Sequence, residues 1–183
     1  MKEASPKIKQ MAPYAGIPVL CVLFVIFRWG AAGAYIPAQR GLLIIFGYIA
    51  SVSDVKTKRI PNGLVLAMLA GWALTFVMLL FYDTGQALAA LTDALLGCAI
   101  CGAILLLVYY ISKKGLGGGD VKFMAAAGLY LGYQGVFPAL LYGSILAGLT
   151  GLALILLKKI GRKDSIPMAP FLYAGILITV FFQ

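Results

Sequence analysis

Long apolar segments, separated by short polar stretches, run through almost the whole chain and restrict its possible folds more than any other feature. The candidate segments are residues 14–30, 37–54, 62–82, 90–111, 121–133, 135–157 and 166–182. An apolar helix of about 20 residues crosses the hydrocarbon core of a bilayer. With 62% hydrophobic and 11% charged residues, the chain is too apolar for a water-soluble globule. The sequence therefore predicts an all-α, polytopic membrane helical bundle.

Two of these segments are less regular than the others. Residues 14–30 contain Pro18 and two glycines, Gly16 and Gly30. Residues 121–133 would span only about 20 Å as a helix, so we expect their lower end to be drawn into the bilayer or bounded by a re-entrant turn. The expected organisation is a cytoplasmic N-terminus and first transmembrane helix over residues 1–36, followed by a six-helix membrane domain over residues 37–183.

Basic residues fall on one side of this predicted topology. If the N-terminus is cytoplasmic and seven helices alternate, all Lys and Arg residues except Arg28 and Arg40 lie inside. An excess of Lys and Arg is typical of cytoplasmic loops. The net charge of +9 is therefore explained by membrane topology, and binding to nucleic acid is not predicted.

Asp54 and Asp120 stand at the ends of apolar segments, in a chain with only 6 acidic residues and no histidine. Ionisable groups at membrane depth are costly and indicate functional sites by default. The predicted topology puts both aspartates on the cytoplasmic side, on different helices. Two neighbouring carboxyl groups hold one proton between them over an extended pH range. One acts as a base toward water and the other as an acid toward a carbonyl, which is the chemistry of peptide hydrolysis.

The local sequence predicts different roles for the two aspartates. Gly117, Gly118 and Gly119 precede Asp120 and would allow an extended peptide to approach the backbone closely. If a helix begins at Asp120, its dipole favours the ionised carboxylate, whereas Asp54 ends a helix, where ionisation is disfavoured. We therefore expect Asp120 to tend toward the base and Asp54 toward the protonated acid.

Neither Asp83 and Asp93 nor the cysteines are predicted to take part in catalysis or metal binding. Asp83 and Asp93 flank the predicted outer turn between the third and fourth helices, where Asp83 or Thr84 would cap a helix. Cys98 and Cys101 have the spacing of a metal or redox pair, but the sequence has no second pair and no histidine to complete a four-ligand zinc site. No metal site and no cofactor are predicted.

Three segments resemble motifs of the type IV prepilin peptidases and occur in the order that this family has them. The segment from Asp54 to Asn62 is similar to the family pattern Asp-x-x-x-x-x-Ile-Pro-Asn/Asp. Gly-Gly-Gly-Asp-Val-Lys at residues 117–122 is similar to Gly-x-Gly-Asp-x-Lys, and residues 166–175 are similar to the start of the family's final helix. The resemblance implies a membrane aspartyl endopeptidase with Asp54 and Asp120 as its catalytic pair.

The resemblance also implies a substrate and a location. Such enzymes cut the short basic leader from prepilins and pilin-like proteins at the cytoplasmic face of the inner membrane, for pilus assembly or protein secretion. Residues 37–183 would form the peptidase domain within the lipid bilayer. Pro61 would start a helix and fix the loop that bears Asp54, and Asn62 would cap that helix. Lys122 would hold a substrate or catalytic carboxylate, although an anchoring lysine at the membrane surface fits equally well.

Larger bacterial members of this family carry a cytoplasmic insertion after the first helix, often with two Cys-x-x-Cys pairs that bind zinc, and they also methylate the new N-terminus. Here the first connection, around residues 30–40, is short and contains no cysteine. The comparison therefore favours a short, peptidase-only form without methyltransferase activity.

Two other classes of function compete with a peptidase. A proton-coupled transporter would use the two aspartates as a proton relay, but such proteins usually place ionisable groups near the bilayer midplane and contain an inverted repeat, which the sequence does not show. If the protein were instead a structural subunit of a secretion complex, the two aspartates would have no chemical function. This alternative predicts that Asp54→Asn and Asp120→Asn are tolerated.

Overall fold

The computed structural model describes residues 35–112, 116–158 and 166–182. These residues form the helices α1 (Tyr35–Thr57), α2 (Asn62–Tyr82), α3 (Thr84–Ile111), α4 (Gly118–Leu156) and α5 (Ala169–Phe182), and no strand occurs in these three ranges. The predicted all-α class is confirmed. The predicted first helix, residues 14–30, lies outside the described residues.

The surface of the bundle is suited to lipid. Helices α1 to α4 are long and apolar enough to cross a membrane, and α5 is a shorter apolar helix. Large apolar side chains such as Leu66, Phe81 and Leu107 are exposed on the outer faces. Helices satisfy their own backbone hydrogen bonds, which lipid cannot do for them. The predicted polytopic membrane bundle is confirmed.

Helix α4 is interrupted at Gly132, where φ is 65° and ψ is 177°. Essentially only glycine adopts this conformation. Asp93 of α3 lies against the break, and its Oδ1 accepts a hydrogen bond from the backbone N–H of Tyr133 at 3.0 Å. Asp93 therefore caps the helix that restarts there. The predicted separation of residues 121–133 from residues 135–157 is confirmed, with the boundary at Gly132.

The two halves of α4, residues 118–131 (α4a) and 133–156 (α4b), run in opposite directions. The first turn of α4a lies beside Ile60, since a Cβ atom at Gly119 would be 3.2 Å from the Ile60 side chain. The last turns of α4b return to the same end of the bundle. A Cβ atom at Gly151 would be 3.5 Å from Ile166, just before the residue that contacts Asp54. The described residues thus contain six helical segments, with α4a and α4b forming a hairpin.

The helices of the bundle approach most closely at glycines. Helix α3 meets α4a at Gly97 and Gly128, where a Cβ atom on either residue would overlap the backbone of the other. Helix α4b meets α5 at Gly175, where a Cβ atom would overlap the backbone of Ala139 and Gly143. Small residues are common at such contacts because helices in lipid gain stability from close packing rather than from apolar burial.

Helix α3 starts earlier than the predicted segment 90–111. It begins at Thr84, and Oδ1 of Asp83 accepts the N–H of Gln86 at 3.0 Å, which confirms the predicted cap. The prediction that Asp93 flanks the outer turn is wrong, because this residue lies inside α3. The apolar pattern missed the first turns of α3 because Thr84, Gly85 and Gln86 interrupt the apolar run at the start of the helix.

Candidate active site

Asp54 lies in the last turn of α1, and local hydrogen bonds fix the chain that follows it. The carbonyl of Asp54 accepts the N–H of Lys58 at 2.7 Å. Lys58 has a φ of 50°, the left-handed conformation that ends many helices. The hydroxyl groups of Ser53 and Thr57 both donate to the carbonyl of Arg59, at 3.0 and 3.1 Å. The connection to α2 is therefore held against the end of α1.

The start of α2 is tied to the start of α4. Pro61 is the N-cap of α2, and its carbonyl accepts the N–H of Leu64 at 3.0 Å, so the prediction that Pro61 starts this helix is confirmed. The prediction that Asn62 caps the helix is wrong, because Pro61 occupies the cap position. Instead, Oδ1 of Asn62 accepts a hydrogen bond from Nζ of Lys122 at 3.2 Å.

Asp120 lies in the first turn of α4, as predicted from the sequence. Gly117 is the N-cap, and its carbonyl accepts the N–H of Asp120 at 3.0 Å. A Cβ atom at Gly117 would be 2.7 Å from Oδ2 of Asp120, and one at Gly119 would be 3.4 Å from the backbone nitrogen of Ile60. At Gly118 a Cβ atom would meet nothing within 4 Å. Gly117 and Gly119 therefore lie close to their neighbours, whereas Gly118 faces open space.

The two predicted catalytic aspartates meet in one cleft of about 240 Å³. Asp54 is 5% exposed and Asp120 is 7% exposed, and their carboxyl groups interact electrostatically. Among the described residues, none donates a hydrogen bond to Oδ1 of Asp120. The residues that line the cleft are Asp54, Lys58, Arg59, Ile60, Asn62, Gly117, Gly118, Gly119, Asp120 and Lys122. The structure thus brings together every predicted site residue except Pro61, which adjoins the cleft.

The cleft also contains three basic side chains. Lys58 and Arg59 come from the connection between α1 and α2, and Lys122 comes from α4a. They bring positive charge to the cleft that holds the two carboxyl groups. From the sequence, Lys58 and Arg59 were expected first of all to set the membrane topology, and their place beside Asp54 was not predicted.

Helix α5 makes a contribution that sequence reasoning also missed. The backbone N–H of Ala169 donates to Oδ2 of Asp54 at 3.0 Å. The hydroxyl of Ser51 donates to the carbonyl of Ala169 at 3.4 Å. The motif at residues 166–175 indicated that this segment matters, but a backbone donor has no side-chain signature that would identify its role.

The other cavities and side-chain groups of the described chain contain fewer candidate catalytic or metal-binding residues. Within residues 35–112, 116–158 and 166–182, no group of three or more His, Cys, Asp or Glu side chains is arranged to hold a metal ion. Two larger cavities, of about 460 and 400 Å³, are both lined by Tyr35 and Gln86, and neither is lined by Asp54 or Asp120. The carboxyl pair lies in the smaller cleft at the opposite end of the bundle.

The fold and the cleft define a polytopic membrane protein in which two carboxyl groups from distant segments meet at the ends of their helices. Residues 41–152 match the Type IV leader peptidase family, and the chain belongs to that family. The resemblance inferred from the three sequence motifs is therefore confirmed.

Individual relatives are named prepilin leader peptidase/N-methyltransferase. The chain is 25% identical over 185 residues to the prepilin leader peptidase/N-methyltransferase of Bacillus subtilis (strain 168), covering 99% of this chain and 70% of that protein. It is 30% identical over 182 residues to the protein of the same name from Aeromonas hydrophila, covering 85% of this chain and 62% of the relative. No solved structure matches this chain. The chain therefore spans about two thirds of the length of these two relatives.

Proposed function

We propose that this protein is a membrane aspartyl endopeptidase that removes the leader peptide from prepilins or pilin-like proteins. The observation that carries the proposal is the meeting of Asp54 and Asp120 in one cleft. Membership of the Type IV leader peptidase family supports the reaction, and the relatives named prepilin leader peptidase/N-methyltransferase support the substrate class.

The proposed reaction uses both carboxyl groups. Two carboxyl groups in a poorly solvated place hold one proton between them. The ionised member takes a proton from water, which attacks the carbonyl carbon of the scissile peptide bond. The protonated member donates a hydrogen bond to the carbonyl oxygen and stabilises the charge that develops there. As the C–N bond breaks, a proton passes to the leaving amine.

The surroundings of the pair give the substrate a place to bind. An extended segment of the leader would lie against the backbone at Gly118, where the structure has open space. The N–H and C=O groups of an extended peptide need partners when they leave water, and exposed backbone in the glycine segment offers them. Lys122, held by Asn62, borders the same cleft and would limit where the substrate lies.

We expect the cleft to open at the cytoplasmic face, because the excess of Lys and Arg falls on that side of the membrane. In a variant without native cysteines, Lys56→Cys should react with a membrane-impermeant maleimide only in inverted vesicles. Thr84→Cys, at the opposite end of the bundle, should react only from the outside of spheroplasts. Both positions are exposed, so accessibility from the water phase decides the result. The reverse pattern would contradict the proposed orientation.

The full chain, purified in detergent, should cleave a substrate that has a basic leader followed by an apolar helix. Mass spectrometry would locate the cleavage site and measure the mass of the product, which shows whether its new N-terminus is methylated. With S-adenosylmethionine present, we expect the product to remain unmethylated, as the short first connection of the sequence predicts. An intact substrate would contradict the peptidase, whereas a cut and methylated product would contradict only the peptidase-only form.

A further inference from the structure

We infer that the first turn of α5 belongs to the catalytic centre, where the backbone N–H of Ala169 orients the carboxylate of Asp54. This inference rests on the proposed peptidase function and adds a positioning residue to it. The donor nitrogen and Oδ2 of Asp54 are 3.0 Å apart. Ala169 is 0% exposed and Asp54 is 5% exposed, so water competes little for this hydrogen bond.

The start of α5 leaves this N–H available. The carbonyl of Met168 accepts the N–H groups of Phe171 at 3.1 Å and Leu172 at 3.2 Å, so Ala169 is the first residue of the helix. The first N–H groups of a helix have no acceptor within the helix. Pro170, the next residue, has no N–H at all. Ala169 therefore supplies the donor that α5 directs at Asp54.

Both backbone groups of Ala169 are held by α1. Ser51 lies one turn before Asp54, and its hydroxyl donates to the carbonyls of Gly47 at 2.9 Å and Ala169 at 3.4 Å. The ring of Tyr173 packs directly on Gly47, where a Cβ atom would be 2.5 Å from the ring. These contacts fix α5 along α1, so the N–H of Ala169 stays in line with the carboxylate.

The contact acts on one member of the pair. A backbone donor at the positive end of a helix favours an ionised carboxylate. This effect on Asp54 opposes that of the C-terminus of α1, on which the expected acid role of Asp54 was based. The other charged groups that face Asp54 are Asp120 and Lys122 of α4a, and Lys58 and Arg59 of the connection to α2. Helix α5 itself carries no acidic or basic residue.

The test is to remove the N–H and follow the dependence of kcat/KM on pH. Ala169→Pro removes the donor at the first position of a helix, where proline is tolerated. An ester at the same bond, made by incorporating lactic acid in place of Ala169, removes the donor without adding a ring. A less stabilised carboxylate takes up a proton at higher pH. The acid limb of the profile should therefore move to higher pH by about one unit, as expected for a hydrogen bond to a charged group.

Two further variants separate this role from a structural one. Ala169→Gly keeps the N–H, so the acid limb should stay where it is in the wild type. Thr84→Pro places proline at the first position of α3, at the other end of the bundle, and should leave both activity and the profile unchanged. If Ala169→Pro does not fold, the ester variant decides. An ester variant whose acid limb coincides with that of the wild type would overturn the inference.

A readout that does not need activity keeps the inference distinct from the proposed function. In the full chain labelled with ¹⁵N-alanine, the Ala169 amide signal is identified by its loss in Ala169→Gly. We expect this signal to shift with pH, and Asp54→Asn to remove most of that shift. A signal that does not respond to pH would overturn the hydrogen bond even if cleavage occurs. A responsive signal in a protein that cleaves nothing would contradict the peptidase and with it the catalytic meaning of the contact.

Discussion

Replacing either Asp54 or Asp120 by asparagine should lower kcat for leader cleavage by about 10²- to 10⁴-fold, the usual contribution of a general acid or base. Asparagine preserves the size of the side chain but neither takes up nor releases a proton near neutral pH. The measurement is the initial rate of cleavage at saturating substrate, with the full chain in detergent. The two variants should be affected similarly, because the proposed reaction needs both carboxyl groups.

The double variant tests whether the two carboxyl groups act as a unit. If they do, Asp54→Asn/Asp120→Asn should be no slower than the slower of the two single variants, because losing one partner already stops the proton transfer. If the two carboxyl groups acted independently, the rate loss of the double variant would be the product of the two single losses. A double variant slower than either single variant by the product of their effects would contradict a shared proton.

A matched aspartate elsewhere in the chain provides the control. Asp83 caps α3 at the opposite end of the bundle, and asparagine caps helices about as well as aspartate. Asp83→Asn should therefore cleave at the wild-type rate. The variants at Asp54 and Asp120 should unfold at the same or a higher temperature than the wild type, since asparagine keeps the size of the side chain and removes an ionisable group from a buried position. A variant at either residue with a rate within about tenfold of the wild type would remove that residue from the proposed mechanism.

Much of the fold follows from the spacing of apolar residues alone. The segment predicted over residues 62–82 has the bounds of α2, and the aspartates fall at the helix ends where the pattern puts them. The two apolar segments 121–133 and 135–157 were enough to predict two helices here, and the structure places the break between them at Gly132. These successes share a physical reason, because in lipid the length of an apolar run sets the length of the helix.

The contacts that the sequence could not predict depend on backbone groups or on residues distant along the chain. The N–H of Ala169 donates to Asp54, which is 115 residues away in the sequence. The side chain of Asn62 was expected to satisfy its own helix, but it pairs with Lys122. Local propensity describes a residue and its neighbours, whereas these contacts exist only after the helices have packed.

A second large effect is expected far from the cleft, at the tip of the α4 hairpin. Gly132→Ala should lower the free energy of unfolding, because its φ of 65° and ψ of 177° cost a residue with a Cβ atom about 1–3 kcal/mol. The added Cβ atom would also overlap the carboxylate of Asp93, which must then move away from the N–H of Tyr133. The expected result is a clearly lower temperature of thermal unfolding in detergent.

The same substitution in the body of α4b should behave in the opposite way. Gly148 is exposed and helical, and a Cβ atom there would meet nothing within 4 Å. Alanine is favoured over glycine inside helices by up to about 1 kcal/mol, so Gly148→Ala should unfold at the same or a higher temperature than the wild type. If Gly132→Ala and Gly148→Ala unfold at the same temperature, the break at Gly132 does not need glycine.

Changing Asp93 as well separates the two causes of the loss at Gly132. Asp93→Asn keeps an oxygen that accepts the N–H of Tyr133, so it should unfold near the wild-type temperature. Asp93→Ala leaves that N–H without its acceptor and should cost about 1–3 kcal/mol. In Gly132→Ala/Asp93→Ala the overlap is gone but the backbone conformation stays unfavourable, so the combined loss should be smaller than the sum of the single losses. Losses that simply add would mean that the carboxylate of Asp93 does not restrict residue 132.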